Sequence, residues 1–122
     1  GCYEVALAGQ AVPSNGGAGE YANPEGVTLI IKQATLYVDT PSAGAANIAI
    51  AIGAAGAANN NIIAAQAING AITGLAYNLL APAAGAAEIM WTAAQVLNAT
   101  VSAASAAFRG RLLVEYYRVD AE

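Results

Sequence analysis

Apolar and polar positions alternate with a period of two wherever a clear pattern can be read along the chain. In "NIAIAIG", residues 47–53, Ile48, Ile50 and Ile52 alternate with Asn47, Ala49 and Ala51. On a helix those isoleucines would spread around the cylinder, so a strand is predicted in spite of the high helix propensity of Ala. Residues 27–39, "VTLIIKQATLYVD", set Ile30, Ala34, Leu36 and Val38 on one face and Gln33, Thr35, Tyr37 and Asp39 on the other, interrupted only by Lys32. Their β-branched and aromatic content supports a strand, and "NPEG" at 23–26 supplies a turn before it. Further on, Leu97, Ala99 and Val101 alternate with Val96, Asn98 and Thr100 within 95–101. In the last element, 111–119, Leu112, Val114 and Tyr116 share one face, with Arg111, Glu115 and Tyr117 nearer the other.

Elsewhere the pattern is looser. "YEVALAGQAV" at 3–12 reads as a strand, and "PSNGGAG" at 13–19 as a flexible connection that lets the N-terminal segment pack on its own sheet or reach a neighbouring subunit. "DTPSAGA" at 39–45 is rich in turn residues and suits a hairpin or short meander connection. "NIIAAQAI" at 61–68 fits a strand or a short helix, "NGAITG" at 69–74 a turn, and 75–87 a loop with an extended piece around Tyr77–Leu80. "SAASAAFRG" at 102–110 reads as a connecting loop. The expected strands are 3–12, 27–39, 46–53, 60–67, 75–80, 88–92, 95–101 and 111–119. About eight short strands with Gly and Pro turns roughly every ten residues predict an all-β, antiparallel sandwich, most simply jelly-roll-like. Residues 1–22 are expected as an N-terminal arm and 23–122 as the sandwich domain.

Composition sharpens this picture. The 122 residues suffice for one domain with one core. Apolar residues make up 57% and charged residues 10% of the chain, against roughly 25% charged in ordinary soluble domains. Between Asp39 and Arg109 the only fully charged side chain is Glu88. Either much of the surface is uncharged, or other subunits cover it. A net charge of −4 with four basic residues leaves no electrostatic footprint for nucleic acid or an anionic membrane. The longest apolar run, 48–58, is rich in Ala and Gly and much shorter than the roughly twenty residues of a spanning helix.

Candidate chemistry is sparse. The chain has no histidine, which removes the commonest general base and metal ligand and rules out a Ser/His/Asp triad. Glu115 and Asp39 form a conceivable carboxylate pair, although a solvated face explains them more simply. "GGAG" at 16–19 lacks the Lys-Ser/Thr of a phosphate loop. Asn59, Asn60 and Asn61 suit turns rather than a calcium loop. "NAT" at 98–100 matches the glycosylation acceptor pattern within an expected strand. The single cysteine, Cys2, is compatible with an inert thiol, an intermolecular disulfide or a lipid anchor. Trp91, Tyr116 and Tyr117 suit a sugar-stacking platform less well than core or subunit packing. No catalytic, cofactor or metal residue is assigned, and Cys2, Tyr3, Trp91, Tyr116 and Tyr117 are the candidate interface residues.

The run 23–53, "NPEGVTLIIKQATLYVDTPSAGAANIAIAIG", then Trp91 and "VLNATVSAASAAFRGRLLVEYYRV" at 96–119, resembles small β-rich virion proteins of tailed bacteriophages, of the head-decoration or head-fibre type. The resemblance implies a jelly-roll-like sandwich and a structural role on the virion head, with no enzymatic activity and no cofactor. The implied partners are further copies of the chain, a trimer first, and the major capsid protein, with neither nucleic acid nor membrane. Two other classes fit the residues: an extracellular filament or surface-layer subunit in which residues 1–12 are donated to a neighbour, and a carbohydrate- or receptor-binding fibre module built on the aromatics.

Overall fold

In the computed structural model, residues 1–56, 62–69, 76–78 and 89–119 are described. They contain nine strands: β1 (Cys2–Ala8), β2 (Gly19–Ala22), β3 (Leu29–Thr40), β4 (Asn47–Gly53), β5 (Ile63–Ala67), β6 (Ala76–Asn78), β7 (Ile89–Trp91), β8 (Val96–Val101) and β9 (Arg109–Arg118). One sheet runs β1-β9-β3-β6, with β7 also on β3, and the other runs β2-β8-β4-β5. Every ladder is antiparallel. β6 and β7 meet different stretches of β3, at Thr35–Tyr37 and Leu29–Ile31, and so act as two halves of one strand position. The pairs are then nested: first with last in one sheet, second with second-last in the other, and so inward to β4 with β5. That is the winding of a jelly roll.

The two inner faces form a single core. Leu29, Ile31, Leu36, Leu112 and Trp91 from the first sheet meet Ile48, Ile50, Ile63 and Leu97 from the second, and all are fully buried or nearly so. Phe108 plugs one end. The isoleucines at 48, 50 and 52 point inward as their alternation predicts. The segment 61–68, open between strand and helix on pattern, is a strand from Ile63. It lies at the sheet edge against β4.

Four expectations change. In β3 the inward residues are Leu29 and Ile31 and then Ala34, Leu36 and Val38, leaving Ile30 on the outer face. The register against β9 shifts between Ile31 and Gln33. Lys32 is therefore the extra residue of a β-bulge, and it resets which parity faces inward. Second, "GEYA" at 19–22 forms a strand absent from the expected set, pairing with β8 from Gly19↔Ala99 to Ala22↔Val96. The residues before it fold into a turn, with Gly17 N–H donating to Ser14 C=O and Gly16 N–H to Thr100 Oγ1. Third, the first strand, expected over 3–12, ends at Ala8 and lies along its own β9, the alternative in which the N-terminal segment packs on its own sheet. Fourth, the 39–45 connection is not a hairpin: β3 and β4 belong to different sheets, and the chain arches between them. The expected Asn59–Asn61 turn, the 70–74 portion of the turn at 69–74, Glu88 and the 79–87 loop lie outside the described residues.

Close approach of neighbouring strands within the first sheet makes Gly110 sensitive. A Cβ on Gly110 would sit 2.7 Å from the Tyr37 carbonyl oxygen and 2.8 Å from the Phe108 ring, whereas one on Gly44 would meet nothing within 4 Å. Gly110→Ala is expected to lower stability by about 1–3 kcal/mol through overpacking. Gly44→Ala is expected to be neutral. Urea denaturation midpoints, at unchanged slope, check both.

Candidate interaction surfaces

Period two separates the aromatics. Tyr116 and Tyr117 are consecutive in β9, so they lie on opposite faces. Tyr116 is 3% exposed and points into the core, while Tyr117 is 54% exposed on the outer face. Trp91 pairs with Leu29, is fully buried and donates its indole N–H to the Gln95 carbonyl over 2.9 Å. Tyr3 is half-buried, with its ring centroid 6.2 Å from that of Trp91. Trp91, Tyr116 and Tyr117 therefore form no stacking platform. Trp91 and Tyr116 are core residues in the single chain, and of the expected interface set only Cys2 and Tyr117 are exposed.

Tyr116 anchors one corner. Its hydroxyl donates to Glu25 Oε2 over 2.6 Å, and its backbone exchanges hydrogen bonds with Gly1. Burial, followed by the hydrogen bond to Glu25 and that carboxylate's charge, raises the phenol pKa from 10.0 to about 12. The folded chain therefore holds this proton more tightly than the unfolded chain. The associated stability is complete below pH 10 and lost as pH rises through about 12. Burial, then Tyr3, shifts Tyr21 in the same direction. Tyr116→Phe is accordingly expected to flatten, without abolishing, the alkaline fall in stability measured by urea titrations at stepped pH.

The edge strand β1 is partly closed. Tyr21 donates its hydroxyl to the Ala6 carbonyl, and Ala8 N–H donates to Ala18 C=O over 3.0 Å. Both bonds occupy positions that face away from β9, so β2 covers the far half of this edge. The near half carries the exposed residues Cys2 and Glu4, and among the described residues no strand pairs with it on that side.

On the outer face of the first sheet, Arg111 hydrogen-bonds both oxygens of Asp39 at 3.0 Å, lies 3.6 Å from Glu4 and stacks over Tyr37. Asp39 is thus committed to Arg111, and Glu115 lies four residues further along β9, about 13 Å away at strand spacing. These two carboxylates do not form an acid/base pair. The "NAT" asparagine, Asn98, is 1% exposed between Glu20 and Ala51, and neither amide atom has a hydrogen-bond partner. A glycan acceptor must be accessible, so Asn98 does not serve as one in the folded chain.

At one end of the sandwich three loops enclose an open hollow of about 420 Å³, lined by Ala11, Ala43, Gly44, Ser105 and Ala104, Ala106 and Ala107. Its wall is rigidly tied. Ser105 N–H donates to Gln10 C=O, Gln10 N–H to Ser105 Oγ, and Arg109 reaches back to the Ala106 and Phe108 carbonyls. No charged residue lines it, and Val12, next to Ala11 in the chain, is 81% exposed. By its pattern alone 102–110 is a plain connection. The clue was the shared small-residue, charge-free character of "GQAV", "SAGAA" and "SAASAA".

Among the described residues no group of three or more Cys, Asp or Glu is placed to hold a metal ion, and no helix is long and apolar enough to cross a membrane. Comparison with family models, with curated proteins and with solved structures gives no match to this chain.

Proposed function

We propose that this chain is a structural protein of a tailed-bacteriophage virion, a capsid-decoration or head-fibre subunit that assembles with copies of itself and docks on the major capsid protein. The observation that carries the reading is the hollow at the loop end of the jelly roll, which no charged residue lines. There Ala11, Ala43, Gly44 and Ala104–Ala107 form a concave surface on loops held in place by cross-loop hydrogen bonds. Small uncharged side chains allow close contact without stranding a charge, and ordered loops reduce the entropy lost on docking. The chain-wide scarcity of charge and the resemblance of 23–53 and 96–119 to phage head proteins point the same way.

Strand donation to a neighbour is less well supported, because β1 is already hydrogen-bonded to β9 of its own chain. A glycan platform loses two of its three aromatics to the core. The experiment is mass spectrometry and electron microscopy of purified virions. Regular copies on the head are expected, and absence from particles would overturn the proposal. Ala106→Asp, which places a charge in the hollow, is expected to reduce incorporation into particles while leaving the circular-dichroism spectrum and urea midpoint of the free protein unchanged.

A further inference from the structure

We infer that the outer face of the first sheet packs against the same face of a second copy of this chain. Four large apolar side chains are exposed among the described residues, and three of them, Met90, Tyr117 and Val119, belong to this one sheet and its end. Met90 and Tyr117 are not scattered. Tyr117 pairs with Ile30 across the β9·β3 ladder, and Ile30 pairs with Met90 across β3·β7, so the three side chains form a row across the sheet. The β-bulge at Lys32 places Ile30 in that row instead of in the core. Val119 follows Tyr117 by two residues and extends the apolar corner beyond the strand end.

The charges on this face fall into three groups, of which Arg109 at the loop end is turned to the Ala106 and Phe108 carbonyls. Arg111 with Asp39 and Glu4 is satisfied within the chain at one end. Toward the apolar row, Lys32 and Glu115 have no ion-pair partner among the described residues, and the Lys32 ammonium lies 5.1 Å from the centre of the Tyr117 ring. One unpaired cation and one unpaired anion, close together on one face, make that face complementary to itself. A two-fold axis lying in the interface and passing between Lys32 and Glu115 sets each Lys32 against the partner's Glu115, making the pair twice. An isologous contact of this kind is the commonest way for like chains to associate.

Area agrees with a second copy as the occupant. A sheet four strand positions wide and as long as the ten-residue β9 presents roughly 650 Å² of face. Two such faces together bury about 1,300 Å², within the range of specific interfaces. The inference shares with the proposed function only the expectation of self-association, and it concerns a different surface from the hollow.

The test uses the whole chain in sedimentation equilibrium, alone and with the reversals Lys32→Glu and Glu115→Lys. The unaltered chain is expected to form particles with an even number of copies. Each reversal sets like charges against each other, so each variant alone is expected to associate roughly tenfold or more weakly. An equimolar mixture of the two variants restores both opposite-charge pairs and is expected to recover the association. This recovery also shows that neither variant had simply failed to fold. A chain that stays monomeric at micromolar concentrations overturns the inference, as does an oligomer that neither reversal weakens. In the second case, presence of the protein on virions would leave the structural role intact while this face is ruled out.

Discussion

The antiparallel pairing of β3 with β9 is the contact on which the rest of the structure depends. It runs from Leu29↔Arg118 to Thr40↔Arg109 and holds the centre of the first sheet. β1 attaches to the free side of β9, and β6 and β7 to the free side of β3. Loss of this ladder would split the first sheet into a β1-β9 pair and a separate group of β3 with β6 and β7. It also joins residues far apart in the chain, so a large loop-closure entropy must be overcome before its contacts form. What offsets that cost is the inner face: Leu29, Ile31, Ala34, Leu36 and Val38 of β3 and Leu112, Val114 and Tyr116 of β9 are all buried against the second sheet.

Keeping this face apolar along twelve residues of β3 requires the bulge at Lys32. Without an extra residue, a strand that starts with Leu29 and Ile31 inward would turn Gln33 and Thr35 inward next. The same irregularity that completes the core therefore sets the outer surface, since it leaves Ile30 beside Met90 and Tyr117 and brings Lys32 over the Tyr117 ring. Core and surface are coupled through one residue.

The loop end shows a different solution. Phe108 is fully buried, and the segment around it is tied by Ser105 to Gln10 and by Arg109 to the Ala106 and Phe108 carbonyls. Backbone groups that loops would otherwise show to water are satisfied within the chain. What remains on the surface is mostly methyl groups. Such a surface combines low charge with loops tied to one another by hydrogen bonds.

Much of the architecture was legible from alternation. Ile48, Ile50 and Ile52, Leu97 and Val101, and Leu112, Val114 and Tyr116 point inward as period two requires, because a side chain's face follows from its parity once the segment is a strand. The same rule places Tyr116 and Tyr117 on opposite faces, so the separation of the aromatics was also readable. Local sequence says little about a four-residue strand such as β2, which exists because β8 offers it a ladder and Tyr21 a place beside the core. Nor could it distinguish a hairpin at 39–45 from an arch between sheets, since turn residues mark a change of direction but not the sheet that receives the next strand. The sequence by itself determined an all-β chain, the inward-facing residues of β4, β8 and β9, and its poverty of charge. Only the tertiary structure decided the bulge, the pairing of β1 within its own chain and the meeting of three loops around the hollow. Each of these is set by hydrogen bonds and packing between residues distant along the chain, which no local pattern encodes.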